Sequence, residues 1–505
     1  IRGNVGLISM TNFQSLEFFV PELILVITIL AALITDLFLK KSKTDLIGWV
    51  LGIGLVIVGL SVLNLSSVPA TTLFSDAIVI DPFSSFMKIV IIISTLLVIA
   101  ASWANKELEN YRKGEYFTIM GIMVLGLFLM TSSVDIIMLY VSIEVVSIMS
   151  FILAAYLKLD TRSNEAGLKY VIYGAFSSGV MLFGLSIVYG LTGSTSYFDI
   201  QESIFSMDSS ANPALIMALL MIFAGFGYKI SSVPFHFWTP DVYEGSPTTI
   251  TAYLSVAPKA AGFAMIIRFF HQIFSDSIAL TGTAIGSTDL PWPEIIGVLA
   301  VVTMTMGNLV AIQQNSIKRM LAYSSIAHAG YMMLALPVLS MEAIESIMIY
   351  LFVYVFMNLG AFFIVITVKN KTGGETFDDY QGLGWKMPVV GSLMTLFMLS
   401  LTGLPPTAGF VGKLYIFKTL VGAGSDFLWL VVAGGINSVI SLYYYFHVVK
   451  VMFLGGERSD TISYPPSLMF GLMVFTAIPS LLLGLYWNPL ASWVKDSLVF
   501  YTQVM

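Results

Sequence analysis

Nearly the whole chain divides into apolar stretches of bilayer length, and that division leaves little choice of fold. A hydrocarbon core about 30 Å thick is crossed by about 20 apolar residues in a helix. Fourteen such spans can be read: 19–40, 46–65, 81–103, 116–132, 134–157, 165–192, 212–231, 248–274, 292–313, 318–338, 343–369, 385–421 (interrupted), 426–453 and 466–487. Only 11% of the residues are charged, against about 25% in soluble domains. The expectation is an all-α polytopic membrane protein with a single membrane domain over residues 1–505. No connection is long enough for a nucleotide-binding, haem or flavin domain. The absence of cysteine excludes disulfides, iron–sulfur ligation and Cys-bound zinc.

Charge tests the span count. Sixteen of the 24 Lys and Arg residues cluster around alternate connections. They are Lys40, Lys41, Lys43, Lys106, Arg112, Lys113, Lys158, Arg162, Lys169, Lys318, Arg319, Lys369, Lys371, Lys386, Lys450 and Arg458. The connections 66–80, 191–211 and 339–342 hold none. The positive-inside rule then puts the basic side in the cytoplasm and both termini on the opposite side. The stretch before span 1 lacks the pattern of a cleaved signal peptide, so span 1 is expected to direct insertion itself. One basic-side connection, 232–247, has no Lys or Arg but carries Asp241 and Glu244. It is expected to pack against protein.

Three lysines interrupt the apolar spans: Lys229 in span 7, Lys259 in span 8 and Lys413 in span 12. A charge at the centre of a membrane helix costs roughly 2.5–3.5 kcal/mol on insertion scales, so it is retained where it is paired, hydrated or used. Glu144, about ten residues into span 5, needs a partner, and Lys229 is the natural one. Their pair is either a static packing contact or a switch, because a nearby carboxylate favours the charged lysine. Snorkelling is the competing reading for Lys229 and, less well, for the deeper Lys259. His328 in span 10 lies between these groups and Lys413. Its ordinary pKa suits proton exchange, and Ser324, Ser325 and Tyr331 beside it could hold water; a packed core histidine is the alternative. Lys88, near the start of span 3, is expected to snorkel outward. Asp36, Asp135, Asp241 and Glu244 sit near helix ends, where capping or solvation is expected, and His236 is a candidate for an intake.

Two spans read as broken. Span 7 has Gly225 and Gly227 just before Lys229 and Pro234 after it; span 12 has Gly403, Pro405, Pro406, Gly409 and Gly412 before Lys413. Glycine permits unwinding and proline removes a helix hydrogen bond. Five spans separate the two breaks, and an odd offset turns the second unit upside down. Paired breaks in inverted halves point to an ion path at mid-membrane.

The stretches VPFHFWTPDVYEGSPT (233–248), APK around Lys259, LAYSSIAHAGYM around His328, FDDYQGLGWKMP (377–388) and LSLTGLPPTAGFVGKLYIF (399–417), with Glu144, resemble the subunit N family of bacterial-type complex I, the NADH-quinone oxidoreductase of the respiratory chain. That family belongs to the antiporter-like subunits shared with Mrp cation/proton antiporters and membrane-bound hydrogenases. Lys413, where subunit M typically has Glu, favours N. The resemblance covers essentially the whole chain. It implies two inverted five-helix repeats, spans 4–8 (116–274) and 9–13 (292–453), after an N-terminal group of three (19–103) and before a last span (466–487). It implies a proton path through Glu144, Lys229, Lys259, His328 and Lys413. It implies no cofactor in this chain, with NADH, FMN, iron–sulfur clusters and quinone in other subunits of a proton translocase. The implied partners are the membrane subunits M, K and J within a bacterial cytoplasmic (inner) membrane; no nucleic acid is expected. An Mrp-type Na+/H+ antiporter subunit, a membrane-bound hydrogenase subunit and a subunit of a ferredoxin-dependent photosynthetic complex are the alternatives.

Overall fold

The computed structural model describes residues 12–40, 44–66, 68–207, 209–274, 290–455 and 464–503. Lys41, Lys43 and Arg458 lie outside them. Among the described residues, thirteen helices are long and apolar enough to cross a membrane, and the bent pair Phe377–Lys386 and Pro388–Thr402 brings the number to fourteen. The protein is a multi-pass membrane protein. The spans are Val20–Phe38, Asp45–Leu65, Pro82–Trp103, Lys113–Ser132, Ile136–Ala154, Thr161–Thr192, Asn212–Ile230, Thr248–Phe274, Trp292–Ala311, Ile317–Val338, Met341–Thr372, the bent pair Phe377–Lys386 and Pro388–Thr402 continued by the helix Ala408–Gly422, Leu428–Leu454 and Ser467–Leu485. Span numbers below follow this order.

Burial sorts the spans. The most apolar windows of spans 8, 10 and 11 are 100%, 89% and 94% buried, whereas those of spans 13 and 14 are 28% and 33% buried. The inner spans carry Lys259 and His328, so the polar groups lie in the protein interior. The outer spans present leucine, isoleucine and valine, as lipid contact requires.

Three elements were not legible as spans. An antiparallel hairpin, Thr71–Leu73 with Ile78–Ile80, follows span 2. The helix Tyr197–Ser206 follows span 6 and packs Tyr197 edge-on against Phe269 of span 8, with ring centroids 5.6 Å apart. The helix Asn488–Gln503 follows span 14 and sets Trp493 between Phe86 of span 3 and Phe352 of span 11, at 4.6 and 5.8 Å.

Span 7 breaks later than its glycines suggest. The helix runs unbroken through Gly225, Gly227 and Lys229 to Ile230, and resumes as Trp238–Gly245. Ser231 takes the left-handed turn (φ 65°) and Ser232 N–H returns to Gly227 O at 2.7 Å. Gly227 is needed for proximity: a Cβ there would stand 2.6 Å from Ser232 Oγ. Trp238 Nε1 and Thr303 Oγ1 satisfy further backbone groups of the break. The segment 232–247 is thus packed against protein, as its missing basic residues imply. Span 8 is interrupted too, at Ser255–Val256, with Pro258 in the first turn of the second piece, where no N–H is lost.

Two buried ion pairs tie spans 1, 3 and 8 together. Lys88 does not snorkel; its Nζ lies 2.6 Å from Glu22 Oε1 of span 1, and both side chains are buried. The outward path is closed by the packing of spans 1 and 3, which sequence position alone does not reveal. Asp81 caps span 3 through Ser84 N–H and also takes both terminal nitrogens of Arg268, at 2.9 and 3.0 Å. Arg268 Nε donates to Thr131 O of span 4. Removing one member of such a buried pair leaves the other uncompensated. Arg268→Met is therefore expected to destabilise the protein by about 3–5 kcal/mol, and Arg268→Met with Asp81→Asn to recover more than half of that loss. The thermal unfolding midpoints of the two purified variants measure it.

Candidate functional site

Lys229, Lys259 and Lys413 are each held by hydroxyls and carbonyls, with no ion pair to a carboxylate among the described residues. Lys229 Nζ donates to Ser147 Oγ of span 5 at 3.2 Å, and its stem packs on Gly262 of span 8. Lys259 Nζ donates to Ser325 O and Oγ of span 10, at 2.7 and 2.9 Å. Lys413 Nζ donates to Thr402 O at 2.7 Å and to Ser438 Oγ of span 13 at 3.3 Å. It also lies 4.2 Å from the centre of the Tyr331 ring, a cation–π contact. Ammonium groups are triple donors, and these acceptors replace water without neutralising the charge.

The break in span 12 creates one of these acceptors. Gly403 adopts φ 86°, ending the first half-helix at Thr402. The last carbonyls of a helix lack partners within it and carry its negative dipole end. Lys413, one and a half turns into the second half-helix, reaches back to that carbonyl. Gly403 leaves room for it, since a Cβ there would stand 2.7 Å from Lys413 Cδ.

Span 10 joins the groups. Ser325, His328 and Tyr331 recur every three residues and share one side of the helix. Ser325 holds Lys259, His328 sits in the middle, and Tyr331 lies under Lys413. His328 Nδ1 meets Tyr350 Oη at 2.7 Å and Nε2 meets Tyr445 Oη at 3.0 Å. Tyr445 Oη also pairs with Ser324 Oγ, and the Tyr354 ring lies 5.1 Å from the imidazole. The histidine is thus flanked by three tyrosines of spans 11 and 13. Tyr350 and Tyr354 could have been suspected, since two phenols four residues apart lie on one face of a largely apolar helix; nothing in the sequence places Tyr445 there.

Glu144 stands apart. It is half-buried, with Oε1 buried and unpartnered among the described residues, and no ion pair joins it to Lys229. Ser147, three residues further along span 5, takes the ammonium instead. Asp135 caps span 5, as its position implies, and Asp36 pairs with Arg112. His236 is buried, with Nδ1 unpartnered among the described residues.

At the basic end a continuous ion network joins the chain's two halves. Arg319 of span 10 holds Asp241 at 2.9 Å and also bonds Glu244, both in the second piece of span 7. Asp241 further takes Lys169 of span 6 at 2.6 Å. Lys318, fully buried, donates to the carbonyls of Glu244 and Ser246, where that helix ends. Lys369 of span 11 bridges Glu107 and Glu375 at 2.7 and 2.9 Å, and Glu107 also accepts from Thr248 N–H at the start of span 8. Burial works to raise the Glu107 pKa, but Lys318, Lys369 and the Thr248 N–H outweigh it and hold the carboxyl down to about 2. A depressed carboxyl contributes stability above its ordinary value of 4.5 and loses it as pH falls toward about 2. Glu107→Gln is expected to cost about 3 kcal/mol near neutral pH, with the difference from the unsubstituted protein closing between pH 4.5 and about 2. Unfolding midpoints across pH test this.

A family model described as NADH:quinone oxidoreductase/Mrp antiporter matches residues 133–441. The NADH-quinone oxidoreductase subunit N 2 of Chloroherpeton thalassium is 45% identical over 95% of this chain and 94% of its own. Subunit N of an Anaeromyxobacter species is 39% identical over 97% and 98% of the two chains. A chain of respiratory complex I from Thermus thermophilus superposes with a TM-score of 0.77 at 28% identity, covering 94% of this chain and 99% of that one. A chain of the Mrp complex from a Dietzia species shares the fold, with a TM-score of 0.80 at 19% identity over 95% and 97% of the two chains.

Proposed function

The chain belongs to the antiporter-like membrane-subunit family of NADH:quinone oxidoreductases and Mrp antiporters, and from that premise we propose that it is the subunit N of a complex I, moving protons through its interior while other subunits carry the electrons. The observation that carries this reading is the row of interior cations on both sides of His328, each held by neutral acceptors. An ammonium without a carboxylate partner can lose its proton without leaving a buried anion behind.

The proposed path runs from Lys229 through Lys259 and His328 to Lys413, with Glu144 as the switch at its start. Lys229 on Ser147 represents the parted state of that switch. Glu144 and Ser147 share a face of span 5, so a small displacement would carry the ammonium to the carboxylate. Closing the pair holds the proton on Lys229; parting it favours passage inward. Lys259 and His328 connect through span 10, with Ser325 and Tyr350 as hydrogen-bonding neighbours. The electrons, NADH, FMN, iron–sulfur clusters and quinone belong to other subunits, and this chain contributes no redox step. Subunits M, K and J are the proposed neighbours in a bacterial cytoplasmic membrane. The basic end faces the cytoplasm and both termini face away, in keeping with the clustering of Lys and Arg. Spans 4–8 and 9–13 are proposed as inverted repeats, a reading supported by the matching breaks in spans 7 and 12.

Lys259→Ala in the assembled complex is the direct test. In inverted vesicles the proton-to-electron ratio is expected to collapse while the complex stays assembled; a normal ratio at normal turnover would reduce the lysine row to architecture. Tyr445→Phe removes one of the two hydrogen bonds on His328. It is expected to slow coupled turnover by the several-fold equivalent of about 0.5–1.5 kcal/mol, well short of the effect of Lys259→Ala.

A further inference from the structure

Span 11 carries a hydrogen-bonding residue at every fourth position over its first half: Glu342, Ser346, Tyr350, Tyr354 and Asn358. Residues four apart form a continuous ridge on a helix. Such a ridge in so buried a helix costs free energy at each position unless it is partnered or hydrated. At one end, Asn358 Nδ2 donates to Ser255 Oγ at 2.6 Å, at the interruption of span 8 and one turn from Lys259. Asn358 Oδ1 and Tyr354 Oη are buried and unpartnered among the described residues. In the middle, Tyr350 Oη holds His328 Nδ1, and its ring lies against Gly412, the neighbour of Lys413. Next comes Ser346, fully buried, whose hydroxyl donates to Ala343 O and leaves its oxygen able to accept.

The other end opens on a polar cavity of about 570 Å³, lined by Glu342, Glu345, Tyr415, Lys418, Thr419 and Lys495. Span 11 begins at this cavity and ends at the basic rim with Lys369, so the two lie at opposite ends of the molecule. Glu345 is half-buried and stands beside Glu342 on the cavity wall. This ridge touches the centre of the relay at Tyr350 and reaches, at Glu342, a cavity on the face away from the rim, which the second half-helix of span 12 also lines through Tyr415 and Thr419.

We propose that this ridge is the proton release branch: the His328–Lys413 end of the relay discharges through Tyr350 and Ser346 into the cavity, with Glu345 as the first carboxylate acceptor. The proposal rests on the function given above. The N–H bond at His328 Nδ1 breaks as Tyr350 Oη takes that proton, while the proton already on Tyr350 passes to water against Ser346 Oγ. Four residues of helix rise about 6 Å, so one water molecule between the two hydroxyls would carry the proton. The proton ends on the Glu345 carboxylate and leaves for the aqueous phase; Tyr350 and Ser346 return unchanged and His328 is left neutral.

The chain contains no cysteine, so labelling read on this subunit by mass spectrometry reports the introduced thiol alone, and the unsubstituted complex treated with the same reagent controls for thiols of other subunits. Ser346→Cys in the assembled complex is expected to react with a small membrane-impermeant cationic methanethiosulfonate added from the cavity side, not from the rim side. The reaction is expected to stop pumping. Ser480→Cys, equally buried in span 14, is expected to stay unlabelled. Glu345→Gln is expected to lower the proton-to-electron ratio several-fold with electron transfer intact under uncoupler, and Glu345→Asp to retain pumping. Failure of Ser346→Cys to react in an assembled complex, reaction without loss of pumping, or normal pumping by Glu345→Gln would each overturn the branch. If Ser346→Cys does not assemble, the Glu345 pair decides alone. Loss of pumping in Lys259→Ala beside any of those results discards the branch and leaves the relay standing; normal pumping in Lys259→Ala removes both.

Discussion

An ammonium group inside an apolar bundle must be given oxygen, and for Lys229, Lys259 and Lys413 that oxygen comes from hydroxyls and helix carbonyls rather than from an ion-paired carboxylate. Lys413 takes the carbonyl that ends the first half of span 12, Lys259 takes a serine carbonyl and hydroxyl on span 10, and Lys229 takes a serine on span 5. A salt bridge would satisfy each charge more completely, but it would also hold it. The neutral acceptors meet the hydrogen-bonding needs of these lysines without an ion pair among the described residues. The breaks, the glycines that let side chains approach them, and the burial of spans 8, 10 and 11 all follow from meeting that need.

Where the fold does use buried ion pairs, they lie away from this row. Glu22–Lys88 and Asp81–Arg268 fix spans 1, 3 and 8, and Asp81 also caps span 3. The rim network of Glu107, Lys318, Lys369 and Glu375, with Arg319, Asp241 and Lys169, joins elements from both halves of the chain. Charges matched by opposite charge are strong and static; charges matched by dipoles are weaker and mobile. The two kinds lie apart in the molecule, so under the proposed function the interior row can change charge without loosening the scaffold.

Span positions were legible to within a few residues because hydropathy and length decide them. The packing of 232–247 was legible from its lack of basic residues. The break in span 7 was misplaced: Gly225 and Gly227 look like helix breakers, but they serve close approach, and the chain turns at Ser231. Lys88 was misread because its distance from the helix end suggests an escape to the interface, and only the packing of span 1 closes that route. Glu144 is the partner that the sequence suggests for Lys229; the ammonium's hydrogen bond goes to Ser147, one turn away on the same face of span 5.

Alone, the sequence determined the class of fold, the number of crossings and the residue types able to carry protons, because the transfer of charge and backbone into hydrocarbon is decided residue by residue. It also carried the motifs that mark the family. Tertiary structure decided which groups meet: that Tyr350 of span 11 and Tyr445 of span 13 hold the two nitrogens of His328, that Arg268 closes on Asp81, and that the polar row of span 11 ends in a cavity. Those contacts join residues from 22 to 187 positions apart. They depend on the rotation and crossing of whole helices, which the packing of many apolar side chains sets jointly and no local pattern encodes.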